Sequence, residues 1–96
     1  MKVYISGAIT GIKLYREIFN ATEEILKDKG YDVINPCELN HNHDLSYEAY
    51  MKEDLKALLD CDSIYMIPGW EKSQGANFEL QVAVISGIKR LEIPLN

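Results

Sequence analysis

The sequence predicts an α/β fold of three layers, in which a mainly parallel sheet of four to five strands carries helices on both faces. Three observations predict it. Short apolar runs alternate with amphipathic stretches, each amphipathic stretch is long enough to serve as a helical crossover, and Gly or Pro marks most of the junctions. Ninety-six residues are expected to form one domain, residues 1–96, near the lower size limit for unaided stability.

Each element follows from its own pattern. Lys2 to Ile5 reads as a buried strand entering the turn Ser6-Gly7-Ala8-Ile9-Thr10-Gly11. Tyr15, Ile18, Phe19, Thr22, Ile25, Leu26 and the stem of Lys29 then recur at helical spacing, with Gly30 as the stop. Tyr31 to Ile34 is a second strand, closed by Asn35-Pro36. Residues 37–45 are polar and aperiodic, hence a loop. Ser46 caps a second helix whose apolar face is Tyr47, Tyr50, Met51, Leu55, Leu58 and Leu59. Ser63 to Ile67 is a third strand broken by Pro68-Gly69. A third helix runs from about Gly75 to Ser86 and stops at Gly87, and Leu91 to Leu95 is a last, weaker strand. This β-α-β-α-β-α-β order is flavodoxin-like or Rossmann-like, and ligands of such sheets sit outside the carboxyl ends of the strands.

Composition narrows the function. The formal charge is −5, and the lysines at 27, 29, 52, 56, 72 and 89 lie among acids and form no basic stripe. That excludes a protein whose affinity rests on neutralising many phosphates, so no nucleic-acid partner is expected. No apolar run approaches a membrane span, and Met-Lys-Val-Tyr-Ile-Ser-Gly lacks the apolar run of a secretory signal. Cys37 and Cys61 belong to no Cys-x-x-Cys pair, as expected of reduced thiols in a cytoplasmic protein. His41-Asn42-His43-Asp44 invites a metal, but no third ligand stands at a telling distance, so neither metal nor cofactor is expected.

Two acids violate the periodicity around them. Asp54 lies four residues after Tyr50, three after Met51 and four before Leu58, which places a carboxylate on the apolar stripe of the second helix. An unpaired buried carboxylate is costly, so it finds donors, takes a proton or faces a cleft. Its structural alternative is a bond to a backbone N–H or a Tyr hydroxyl. Glu79 follows Ala76 by three and precedes Val82 and Ala83 by three and four, in a helix apolar nearly all round. A place in the first turn would favour its ionised form by roughly 0.3–1 kcal/mol. It is then either a nucleophile towards an electrophilic carbon or an acid that merely stabilises its own helix. Ser73 or Gln74 caps that helix, Gly75 admits close backbone approach, and Gly7 and Gly11 leave N–H groups free to meet an anion. Trp70 either stacks on a base or packs at a subunit contact.

These residues resemble a known family. Tyr4, the Gly-containing turn after it, Asp54-Leu55, Asp62 and Ser73-x-Gly75-x-x-x-Glu79 look like the nucleoside 2-deoxyribosyltransferase superfamily, which includes the 2-deoxynucleoside 5-monophosphate N-glycosidases. Residues 3–11, 54–62 and 67–71 look like very short phage and bacterial members of it, which implies the cytoplasm of a bacterial cell or phage-infected host. The resemblance runs from residue 2 to about 89. It implies that Glu79 attacks the anomeric carbon, that Asp54 manages the proton of the leaving base, and that the Tyr4 hydroxyl orients the nucleophile. The turn Gly7, Ala8, Ile9, Thr10 and Gly11, with Ser73 and Gly75, would bind a nucleoside or nucleotide. It also implies a homo-oligomer whose site is completed by a neighbour. Two departures stand out: Ser73 replaces the acid that meets the base in base-swapping transferases, and Thr10 replaces the arginine of the monophosphate glycosidases. They motivate a rival reading, a non-catalytic module that binds or sequesters a nucleotide.

Overall fold

The computed structural model describes residues 1–39 and 46–93. The element order is β1 (Lys2–Ser6), α1 (Tyr15–Asp28), β2 (Asp32–Ile34), α2 (Tyr47–Leu59), β3 (Ser63–Met66), α3 (Gln74–Ile85) and β4 (Lys89–Arg90). All pairings are parallel and the spatial order is β2-β1-β3-β4. The predicted three-layer α/β fold is therefore the observed one, with four strands among the described residues.

Side-chain alternation along the strands separates two cores. Val3 and Ile5 of β1, with Tyr65 and Ile67, meet Phe19 and Leu26 of α1 on one face. Tyr4, Ile64 and Met66 point the other way, onto Leu58 of α2 and Ala76 and Ala83 of α3. In α1 the stripe that buries is Phe19, Thr22 and Leu26, whereas Ile18 and Ile25 on its flank remain exposed. Full burial of Phe19 and Leu26 contributes about 1.5–3 kcal/mol each. The α2 face is narrower than its sequence implies, because Tyr47 and Leu59 are exposed and Leu58 alone is fully buried.

Capping follows the expected chemistry. The Ser46 hydroxyl accepts from the Ala49 N–H at 3.1 Å, and the Ser73 hydroxyl accepts from the Ala76 N–H at 3.1 Å. Gly30 and Gly87 take the left-handed conformations, φ 94° and 77°, that let the chain leave α1 and α3.

Three expectations need correction. β1 extends one residue further, to Ser6, which pairs with Met66 instead of opening the turn. Pro36–Glu38 forms a 3-10 turn, not open loop, because Pro36 fixes its start and the Asn35 side chain accepts from the Cys37 N–H at 2.9 Å. The last strand is Lys89–Arg90, earlier than residues 91–95. The turn at Gly87 delivers the chain to the sheet at once, and Ile88 is already buried beneath α3. Leu91 still donates its N–H to the Ile64 carbonyl at 2.8 Å, and residues 94 and 95 lie outside the described residues, as does His41-Asn42-His43-Asp44.

Candidate active site

A cavity of about 880 Å³ opens beyond the carboxyl ends of β1 and β3. Its lining comes from the turn after β1, the first residues of α1, the cavity side of α2 and the start of α3. This is where a doubly covered parallel sheet leaves polar backbone accessible.

Glu79 anchors the site. Its side chain is 6% exposed, yet it lines the cavity. The Tyr4 hydroxyl donates to Oε2 at 2.7 Å, and the Ser6 hydroxyl donates to Oε1 at 2.6 Å. Alternation explains the pair: residues 4 and 6 leave β1 on the same side, the side that α3 covers. Tyr4 spans the deeper gap with its ring, and Ser6 meets the carboxyl directly at the strand's end. Each oxygen thus has its own donor. Among the described residues no buried side-chain polar atom lacks a partner.

Burial drives the electrostatics. It lifts the Glu79 carboxyl from 4.5 to about 7, against the bonds from Ser6 and Tyr4, which favour the ionised form, and with help from the nearby Asp54 charge. Tyr4 is pushed well above the ordinary phenol value, first by burial and then by Glu79 and Asp54, so its hydroxyl stays a donor. The expected first-turn position of Glu79 is not what the fold provides. With Ser73 as cap, α3 begins at Gln74, Glu79 falls in the second turn, and the helix-end field has largely decayed there. Desolvation decides its proton, not the dipole.

The other expected residues divide clearly. Asp54 is half-buried on α2 and lines the same cavity as Glu79. Gly7, Ala8, Ile9, Thr10, Ser73 and Gly75 line it as well. Tyr4 and Gly11 do not: Tyr4 is wholly buried behind Glu79, and Gly11 serves the turn with φ 79°. Gly7 has a packing reason of its own, since a Cβ there would lie 2.9 Å from the Ile67 Cβ. A Cβ on Gly75 would lie 3.0 Å from the Tyr47 hydroxyl, so the two helix starts meet closely at the rim. Asp62 lies at the opposite, amino-terminal end of the central strands, where its carboxylate accepts from the Lys2 N–H at 2.9 Å.

Sequence reasoning missed Ser6, Arg16 and Lys72. The signal for Ser6 was present: it stands two residues beyond Tyr4 and shares its face. Arg16 lines the cavity from the first turn of α1, donating to the Cys37 carbonyl at 3.3 Å with its guanidinium 5.6 Å from the Tyr15 ring centre. Lys72 lines it just before the α3 cap. Among the described residues no group of three or more His, Cys, Asp or Glu side chains is placed to hold a metal, and Cys37 and Cys61 are free thiols. No helix among them is long and apolar enough to cross a membrane.

The fold has a counterpart among solved structures. A 2-deoxyribosyltransferase from the psychrotolerant bacterium Bacillus psychrosaccharolyticus superposes with a TM-score of 0.74 at 23% identity, over 99% of this chain and 78% of that one. At that identity the likeness is one of fold. No curated protein matches the sequence. The family model described as domain of unknown function DUF4406 matches residues 1–91, and the chain belongs to that family.

Proposed function

We propose that this protein cleaves or transfers the N-glycosidic bond of a nucleoside or nucleoside 5-monophosphate, with Glu79 as nucleophile. The observation that carries the reading is a carboxyl buried in an otherwise uncharged helix, held by two hydroxyls, that still opens onto the cavity Asp54 lines. The structural neighbour, a 2-deoxyribosyltransferase used as a biocatalyst in nucleoside synthesis, agrees with it.

In the first step a Glu79 oxygen bonds to the anomeric carbon as the C–N bond breaks. The bonding pair leaves with the base, and Asp54 supplies the proton that the base takes up. In the second step water or an acceptor base attacks the same carbon, its proton passes to Asp54, and Glu79 departs as carboxylate. Tyr4 and Ser6 are positioning residues, since they touch the nucleophile and not the substrate. Thr10 and the backbone from Gly7 to Gly11, with Ser73 and Gly75, surround the ligand. The chain acts as one catalytic domain needing no metal or organic cofactor.

Glu79→Gln keeps a hydrogen-bonding side chain of the same size but removes the nucleophile. Base release, followed by chromatography over a panel of nucleosides and monophosphates with and without acceptor bases, should fall by about a thousandfold or more. Unchanged release would remove Glu79 from the mechanism. The raised Glu79 carboxyl favours one rival, a module that binds a nucleotide without turnover. Calorimetric binding by the unmodified protein, with no base released at pH 8, would establish that rival.

The reading includes a homo-oligomer. Glu79 is the one charged residue of α3, and it faces inward, while Phe78, Val84 and Ile85 are exposed at 48%, 66% and 85%. A charge-free apolar face lets two copies of a chain of net charge −5 meet without placing like charges in direct contact. Sedimentation should show an assembly larger than one chain, shifted towards monomer by Ile85→Lys. A monomer at micromolar concentration would refute this part.

A further inference from the structure

The cavity is lined by charges of both signs: the acids Glu79 and Asp54, and the cations Arg16 and Lys72. Asp54 raises the Glu79 carboxyl, and Arg16 lies against Cys37, where the chain leaves β2.

The ion pairs between described residues are Lys27–Glu23, Lys56–Glu53 and Arg90–Glu92, so no described acid pairs with Arg16 or Lys72. The Arg16 guanidinium spends its described contacts on a neutral carbonyl and a ring, which fix its direction without meeting a carboxylate. In a chain of net charge −5, two cations that meet no described acid thus line one cavity. A volume in the upper part of the roughly 300–1,000 Å³ range of small-molecule sites leaves room beyond a sugar and base.

Resting on the proposed glycosidic chemistry, we infer that Arg16 and Lys72 select a substrate bearing a terminal phosphate, a nucleoside 5-monophosphate, over the uncharged nucleoside. The planar fork of Arg16 takes two phosphate oxygens, and Lys72 supplies a point charge to the same dianion. Both cations are exposed side chains on the outside of their elements, so replacing them leaves the core intact.

The test pairs each deoxynucleoside with its 5-monophosphate for all four bases. Calorimetric binding to the Glu79→Gln protein is measured beside initial rates of base release by the unmodified one. The monophosphate should bind roughly tenfold to a hundredfold more tightly, the range expected for charge-assisted hydrogen bonds. That ratio should shrink with added salt and collapse to within about threefold in Arg16→Gln/Lys72→Gln. Inorganic phosphate should compete with the monophosphate and not with the nucleoside. Equal or tighter nucleoside binding, or a ratio that survives the double substitution, would overturn the inference while leaving Glu79 chemistry intact. Failure to bind or cleave any compound of either series would instead refute the glycosidic reading, and this inference with it.

Discussion

The two faces of the sheet are built from alternate residues of the same strands, yet they bury different chemistry. On the α1 face, Val3, Ile5, Phe19, Leu26, Tyr65 and Ile67 form a core with no buried acid. On the opposite face β1 contributes Tyr4 and Ser6, and α3 sends Glu79 between them. The first face shows what this chain needs in order to fold. The second carries something folding alone does not require, since an aliphatic residue at 79 would fill that space without a carboxyl to desolvate. The burden lies where the cavity opens, which is what links it to function.

The comparison is sharpest in stability against pH. Unfolded, the Glu79 carboxyl releases its proton near 4.5; folded, near 7. Between those values the folded protein holds one proton more, so its stability falls as pH rises through that window and levels off above it. A shift of this size corresponds to a loss on the order of 3 kcal/mol. Glu79→Gln removes the titration, so its denaturant midpoint should exceed that of the parent at pH 8 and lose the advantage near pH 4. On the other face, Ile5→Val should cost about 0.5–1.5 kcal/mol equally at both values. Parallel pH curves for the parent and the Gln variant would show that the buried carboxyl imposes no such burden.

The ease with which each part is read from the sequence follows the physics involved. Strand alternation and helix spacing reveal both cores, since burial of Val3, Ile5, Phe19 and Leu26 is a local pattern. The same reasoning finds Glu79 and Asp54, because an acid among Ala76, Val82 and Ala83, or beside Tyr50 and Met51, interrupts a pattern otherwise complete. Ser6 escapes notice because Ser-Gly resembles a turn, and only pairing with Met66 makes it strand. The proton on Glu79 is misjudged because helix position is local, whereas desolvation depends on the strand packed across from it. Arg16 has the look of a solvated helix residue, and nothing in its neighbours tells that α1 begins at the rim of a cavity.

A smaller effect distinguishes the two hydroxyls. Both lower the Glu79 carboxyl, and the Ser6 bond does so more than the Tyr4 bond. Removing either donor withdraws support from the ionised form, so the carboxyl rises further and the pH at which the carboxylate becomes available moves up. For Ser6→Ala the rising limb of kcat/KM should move upward by about one pH unit from its place near 7, equivalent to about 1.4 kcal/mol. For Tyr4→Phe the shift should be smaller and in the same direction. Ser6→Thr retains the hydroxyl and should restore most of the original limb. If Ser6→Ala and Tyr4→Phe lowered the rate uniformly across pH without moving the limb, the hydroxyls would act on packing alone and the buried face would lose its claim to tune the proposed nucleophile.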